Sequence, residues 1–296
     1  MSIKDDLVKS GEQNPIYHAC NFFKVDETFL SYEEVINDER YKRIYELLED
    51  EDSKRIYVKN INSKLTGNGL ALYDEMTGKS FFDEDLLCNM ETDIFVDAGA
   101  FTGDTILQFL EFSKGKYQKI YAIEPDKGNY VALQKFIKYG VIENVETFNV
   151  GGWSEDGERN FFSTSNNENV NYGSPNLFQD ISTSITKGEL EACQKENSVA
   201  TNYKVKLDSV DNIVKDHRAS VIKINALAAD MPILIGCKET ILESKPVFVM
   251  EYGARPEYMI EEVIWLDDLK VGYKFYMRQK SIFGDCKTLL YAICDK

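Results

Sequence analysis

Three carboxylates and two glycines stand where a chain could do chemistry. The stretch "DIFVDAGAFTGDT", residues 93 to 105, runs an apolar strand into Asp97, Gly99, Gly103 and Asp104, and "KIYAIEPD", residues 119 to 126, runs a second one into Glu124 and Pro125. A carboxylate at a strand end accepts hydrogen bonds, and glycine lets the main chain turn sharply and approach a ligand with no Cβ in the way. Glu124 is placed to accept both ribose hydroxyls of a nucleoside. The loop reads D-x-G-x-x-x-G. It lacks the close glycine pair of GxGxxG that holds a pyrophosphate, which disfavours a nicotinamide-dependent dehydrogenase on the same type of sheet. Acidic residues around such a loop suit a cationic ligand.

S-adenosylmethionine is a nucleoside of that charge, carrying a sulfonium and an ammonium, and Asp97, Glu124 and Asp104 match it. On this reading Gly99, Phe101, Thr102, Gly103 and Asp104 form the loop against its amino-acid end, with Thr102 or Thr105 near the start of the next helix. Glu124 and Pro125 lie at the ribose. The end of "VETFNVGGW" brings Asn149, Gly151 and Trp153 toward the adenine, where Trp153 either covers the ring or packs in the core. Asp93 precedes its strand and reads as surface.

The elements that must position these residues change character along the chain. Residues 1 to 89 read as a helical appendage: "NDERYKRIYELLEDEDSKRIYVKNINSKL" carries Tyr41, Ile44, Tyr45 and Leu48 at helical spacing, with Asn37 or Asp38 as the cap, and "TGNG" at 66 to 69 breaks the pattern. From residue 90 to 296 the pattern is short apolar runs, "DIFVDAG", "KIYAIEP", "VETFNVGGW", "SVIKINAL", "PVFVMEYG", "YKFYMRQ" and "TLLYAICD", the first several separated by amphipathic stretches. Such alternation predicts an α/β fold with a mostly parallel sheet covered on both faces. The last two runs are joined by only a short connection and predict an antiparallel edge hairpin. The polar stretch between 163 and 200 reads as an insertion on the ligand side, either a seat of substrate selectivity or a loop without a role.

Composition excludes several classes. With 50 acidic and 34 basic residues in 296, the formal net charge of −16 opposes a phosphate backbone, and no basic patch stands out, which argues against nucleic acid as a partner. No apolar run reaches the roughly 18 residues of a membrane span, and the start lacks a secretory stretch, so the cytoplasm is the expected location. The six cysteines are scattered without zinc-site spacing and read as free buried thiols, and no metal site is expected.

In their order, "FFDEDLL", "IFVDAGAFTGDTILQF", "KIYAIEPDKGNYVALQKFI", "GGWSEDG", "STSI", "VKLDSVD", "IGCKETI", "KPVFVMEY", "YKFYMR" and "TLLYAI" resemble the FkbM-type methyltransferase family over roughly residues 80 to 293. The resemblance implies a Rossmann-like class I methyltransferase fold with a seven-stranded sheet, S-adenosylmethionine as cofactor, and methyl transfer to a hydroxyl of a saccharide or other small metabolite. The second half of the site departs from the family. Where the family reads like D-x-E-G-x-E, this chain has "NALAAD", Asn225 to Asp230, and the places that often hold His are Ala254 and Gln279.

An alcohol acceptor needs a base or a metal to shed its proton, so the remaining polar residues matter. Asn225, at the end of the fourth strand, could orient an acceptor or satisfy a turn. Asp230 could act as a base, bind a cation with Asn225, or cap the helix of "MPILIGCKETIL". Glu251 and Tyr252 end the fifth strand on the ligand side, and Arg255 could hold an anionic substrate. His217 precedes the fourth strand, at the wrong end of the sheet, and His18 lies in the appendage. A binding or scaffold protein that keeps the cofactor pocket and has lost the chemistry is the competing reading. The appendage could be a surface for a homo-oligomer, a substrate lid or a helical cap.

Overall fold

A computed structural model of the chain describes residue 7 and residues 30–66, 69–78, 81–163, 176–177, 201–226, 229–252, 258–281 and 287–294. Packing groups the chain into two compact units, Glu84–Val247 and Met1–Asp83 with Phe248–Lys296. The division near residue 89 read from the sequence follows element type, whereas these units follow packing.

The first helices are α1 (Tyr32–Asn37), α2 (Glu39–Leu47) and α3 (Glu51–Thr66), followed by a 3-10 turn over Gly69–Glu75. A reciprocal capping box opens α1: the Ser31 hydroxyl accepts from the Glu34 amide at 3.1 Å and the Glu34 carboxylate accepts from the Ser31 amide at 3.1 Å. Asp38 caps α2, as expected, accepting from the Arg40 amide at 3.0 Å. The helical run does not continue unbroken. Leu48 leaves the helix to bridge to Phe275, and Asp50 restarts it by accepting from the Ser53 amide at 2.7 Å. Tyr41, Ile44 and Leu48 are buried, as their spacing requires. Asp38→Ala is expected to cost about 1 kcal/mol, read as a lower urea midpoint at unchanged slope.

After the short α4 (Glu84–Leu87), the second unit winds through β1 (Ile94–Ala98), α5 (Asp104–Ser113), β2 (Lys119–Ile123), α6 (Lys127–Gly140) and β3 (Val145–Phe148). The apolar run of β1 is almost wholly buried because a parallel strand is covered on both faces, and Phe95 of β1 stacks on Phe109 of α5 with centroids 4.3 Å apart. Asp126 caps α6 through the Gly128 and Asn129 amides at 2.8 and 3.0 Å.

The run "VETFNVGGW" is two strands, which corrects the single strand expected. Residues 149 and 150 leave β3, and β4 (Gly151–Gly152) pairs with a different sheet. That sheet also contains β5 (Gly157–Ser163), β6 (Asn176–Leu177) and β7 (Thr201–Asp208), in the order β4-β7-β5-β6. Beyond β6, the insertion between 163 and 200 lies outside the described residues. The chain then runs through α7 (Val210–Ile213), β8 (Val221–Ile224), α8 (Asp230–Ile235) and α9 (Lys238–Ser244). Asp211 of α7 caps α9, accepting from the Glu239 and Thr240 amides, each at 2.9 Å.

The last elements are β9 (Val247–Tyr252), α10 (Tyr258–Asp268), β10 (Tyr273–Ser281) and β11 (Lys287–Cys294). The Ser53 hydroxyl of α3 accepts from the Met277 amide of β10 at 2.8 Å, and Arg278 pairs with Asp50 at 2.8 Å. These contacts draw the final strands to the N-terminal helices.

The main sheet has seven strands in the order β10-β11-β9-β8-β1-β2-β3. Strands β8, β1, β2 and β3 pair in parallel, and β11 is antiparallel to both β9 and β10. The expected antiparallel pair is therefore present, with β10 at the edge and β11 inside it. No described helix is long and apolar enough to cross a membrane. Of the described cysteines, all free, only Cys237 is fully buried; Cys88 is exposed and Cys294 half-buried.

Candidate functional site

The chain leaves β1 toward β2 and β3 on one side and returns to β8 on the other. The carboxyl ends of β1 and β8 thus flank a topological switch point, where ligands of such sheets lie. Asp97 and Lys223 are register partners across that seam, so their side chains share a face. The Lys223 ammonium sits 2.8 Å from Asp97 Oδ1 and donates to the Gly99 carbonyl at 2.7 Å. Asp97 is 0 % and Lys223 2 % exposed. Among the described residues Asp97 Oδ2 is a buried oxygen with no hydrogen-bond partner. Burial pushes the Asp97 carboxyl above its usual range, the Lys223 charge opposes this and Asp104 adds to it.

Lys223 is absent from the residues singled out in the sequence. Its signal was a single Lys inside the apolar run "SVIKINAL", which in a strand buried on both faces requires a counter-ion.

The glycines of the loop make the sharp turn expected of them, and they also make room within the chain itself. Gly99 has φ +83, and a Cβ there would stand 2.1 Å from the Asn225 carbonyl oxygen. Gly103 has φ +96, and its Cβ would meet the Phe136 ring at 2.4 Å. The missing side chains therefore make room for the chain's own end of β8 and for α6, rather than only for a ligand. Between them Phe101 is held at φ +49, a left-handed conformation unfavourable for a bulky residue.

Glu124 is what holds it there. Its Oε2 accepts from the Phe101 amide and its Oε1 from the Asp126 amide, both at 2.9 Å. At 4 % exposure it is buried, and burial pushes its carboxyl up to about 8 against the pull of the two amides. Each carboxylate oxygen has a second lone pair, so the clamp leaves acceptor capacity for a ribose hydroxyl. The raised value means that the folded chain holds a proton here that the unfolded chain has lost. The Glu124 contribution to stability should therefore be fully present below about pH 4.5 and be lost as pH rises toward about 8. Denaturant titrations across that window should show a Glu124 contribution of at most about 1.4 kcal/mol per pH unit, absent in Glu124→Gln.

The other cofactor-loop candidates are placed as follows. Asp104 is the exposed first residue of α5, Thr102 is half-buried and Thr105 is buried. Asn149 donates its amide to the carbonyls of Glu124 and Pro125 at 2.9 and 3.1 Å, tying the end of β3 to the loop after β2. Gly151 pairs with Leu207. Trp153 is buried, and the Arg159 guanidinium lies 4.4 Å from its ring centre. Its burial is the second of the two placements that its position in the sequence left open.

Among the catalytic candidates, Asn225 ends β8 with its amide on the Ala98 carbonyl at 3.1 Å. Asp230, 3 % exposed, accepts from the Ala226 amide at 2.8 Å and closes the turn after β8. It is the first residue of α8, with Ala229 at the cap position, so its carboxylate braces the turn, and the cap among its three expected roles is not the one it takes. Glu251 and Tyr252 belong to the other compact unit. Glu251 is half-buried. Tyr252 is 2 % exposed, beside Tyr57 at 6.3 Å, and burial pushes its hydroxyl well above 10. Its phenolate is disfavoured by that burial. Gln279, at a place where the family often has His, is fully buried and accepts from the Thr288 hydroxyl at 2.6 Å, which in turn accepts from Asn60 at 2.8 Å. Leu227, Ala228, Ala254, Arg255 and His18 lie outside the described residues. His217 precedes β8, as expected.

No protein-family description and no curated protein sequence matches the chain. Solved structures do. The methyltransferase FkbM from Methylobacillus flagellatus KT superposes with a TM-score of 0.68 at 16% identity, covering 88% of this chain and 60% of that one. The fold is that of a class I methyltransferase. Weaker resemblances include the precorrin-6y C5,15-methyltransferase of Geobacter metallireducens GS-15, with a TM-score of 0.39 and 11% identity over 71% of this chain and 84% of that one. A putative methyltransferase from Streptococcus mutans, solved in complex with SAH, gives a TM-score of 0.37 and 13% identity over 71% and 93%. The chain thus spans about three-fifths of the length of the FkbM structure.

Proposed function

We propose that this chain binds S-adenosylmethionine at the carboxyl ends of β1 and β2 and methylates a hydroxyl of a saccharide or another small hydroxylated metabolite. The observation that carries the reading is the fully buried Asp97 carboxylate at the switch point, with one oxygen on Lys223 and the other lacking a partner. A buried acceptor left unpaired is costly, and a cationic N–H donor would satisfy it. The donor set fits the group: Asp97 would take its ammonium, Glu124 its ribose hydroxyls, and Asp104 adds negative charge facing a sulfonium. When bound, the cofactor supplies an activated methyl group. The chain's part is to hold the acceptor in line and exclude water, with Asn225 orienting the acceptor at the end of β8.

Asp230 is engaged in closing the turn after β8 through the Ala226 amide rather than facing an acceptor. That engagement, together with "NALAAD" at residues 225 to 230, favours a second reading in which the fold binds the cofactor without turnover. Incubation with methyl-labelled S-adenosylmethionine and a panel of sugars, nucleotide sugars and phenols separates the two. Label in a hydroxylated acceptor, lowered about tenfold or more in Asn225→Ala, is the expected result. Tight cofactor binding with no transfer to any acceptor would leave the second reading standing.

A further inference from the structure

Lys223 is an expensive residue where it stands. A lysine in a four-residue strand that is buried throughout must be compensated, and replacing such a pair by apolar residues is often neutral or stabilising. Its retention as a mere packing element is thus poorly explained. The geometry is asymmetric in a useful way: the ammonium takes Asp97 Oδ1 and the Gly99 carbonyl and leaves Oδ2 unpaired. The Gly99 carbonyl belongs to the left-handed turn that opens the loop, so the same ammonium fixes both the charge and the loop's first residue.

We infer that Lys223 is a positioning residue for the cofactor: it keeps the buried Asp97 carboxylate ionised and oriented, so that Oδ2 is presented as a ready acceptor for an ammonium donor. This rests on the reading of the site as one for S-adenosylmethionine. The charged groups acting on Asp97 are Lys223 on β8 and Asp104 at the start of α5; Glu124, after the end of β2, is pushed by its own burial toward the neutral acid. Of these only Lys223 favours the carboxylate. Without it, complete burial and the Asp104 charge drive Asp97 to its neutral acid, whose hydroxyl can no longer accept from a cation without first losing a proton.

The test is calorimetric titration of S-adenosylmethionine into the wild type, Lys223→Met, Lys223→Arg, Asp97→Asn and the Asp97→Asn/Lys223→Met double variant, at about pH 6 and about pH 8, the range over which a buried carboxyl would change charge. Asp97, pushed up to about 6 with Lys223 in place, should change wild-type affinity only about twofold, and any contribution of Glu124, pushed up to about 8, is common to every variant, so each variant is read against the wild type at the same pH. Relative to the wild type, Lys223→Met should bind about tenfold more weakly at the lower pH than at the higher, Lys223→Arg should restore the wild-type profile, and the double variant should bind no worse than Asp97→Asn. Lys223→Met that matches the wild type, or that loses affinity equally at both pH values, would overturn the inference while leaving the cofactor site intact. A folded wild type that binds no S-adenosylmethionine would remove both. Should Lys223→Met fail to fold, the carbon-13 shift of the wild-type Asp97 carboxyl at neutral pH decides: ionised supports the inference and neutral overturns it.

Discussion

Gly99→Ala is expected to destabilise the fold by about 3–4 kcal/mol, whereas Gly115→Ala, also at positive φ, should cost about 1 kcal/mol. Both glycines adopt left-handed backbone, at φ +83 and φ +69, so both pay the conformational cost of a Cβ. The difference lies in what the Cβ would meet. At Gly115 nothing stands within 4 Å, but at Gly99 the Asn225 carbonyl oxygen is 2.1 Å away. That oxygen is main chain at the end of a buried strand and cannot rotate aside, so β8 or the loop must move. Urea midpoints of the two variants measure the difference directly. Equal losses would mean that the end of β8 yields easily and that the seam between β1 and β8 is not the rigid floor of the site.

Asp97→Ala should cost about 3–5 kcal/mol, because it strands the Lys223 ammonium in a strand with no exposed position. Adding Lys223→Met to it should recover a large part of that loss, since the second change removes the uncompensated charge and leaves apolar surroundings. The readout is again the denaturant midpoint, with the four corners of the cycle compared. Additive losses would show that the two groups do not act as a pair, and the account of the site's charge would fail with them.

The sheet is legible in the sequence because each of its strands is a short apolar run set between amphipathic stretches, and the closing antiparallel pair because eight residues cannot carry a parallel crossover. The loop after β1 and the acid at the end of β2 are legible for the same reason: strand ends at a switch point are where ligands lie. What is not legible depends on contacts distant in sequence. Nothing local to "VETFNVGGW" says that residues 149 and 150 break it, since β4 forms only by pairing with Leu207 and Asp208. Nothing local to "YELLED" says that Leu48 will leave its helix for Phe275. Trp153 reads equally as a cover for the ring or as core, and only the contact with Arg159 of β5 and its burial separate the two. Lys223 could have been found from its apolar flanks alone, but its partner depends on the register between β1 and β8.

The central claim is that the ends of β1 and β2 hold S-adenosylmethionine, and calorimetric titration of the purified full chain with S-adenosylmethionine and S-adenosylhomocysteine tests it most directly. Saturable binding to the wild type, abolished in a folded Asp97→Ala/Glu124→Ala variant, is the predicted result. A folded wild type that binds neither compound, or a variant that binds both unchanged, would contradict it.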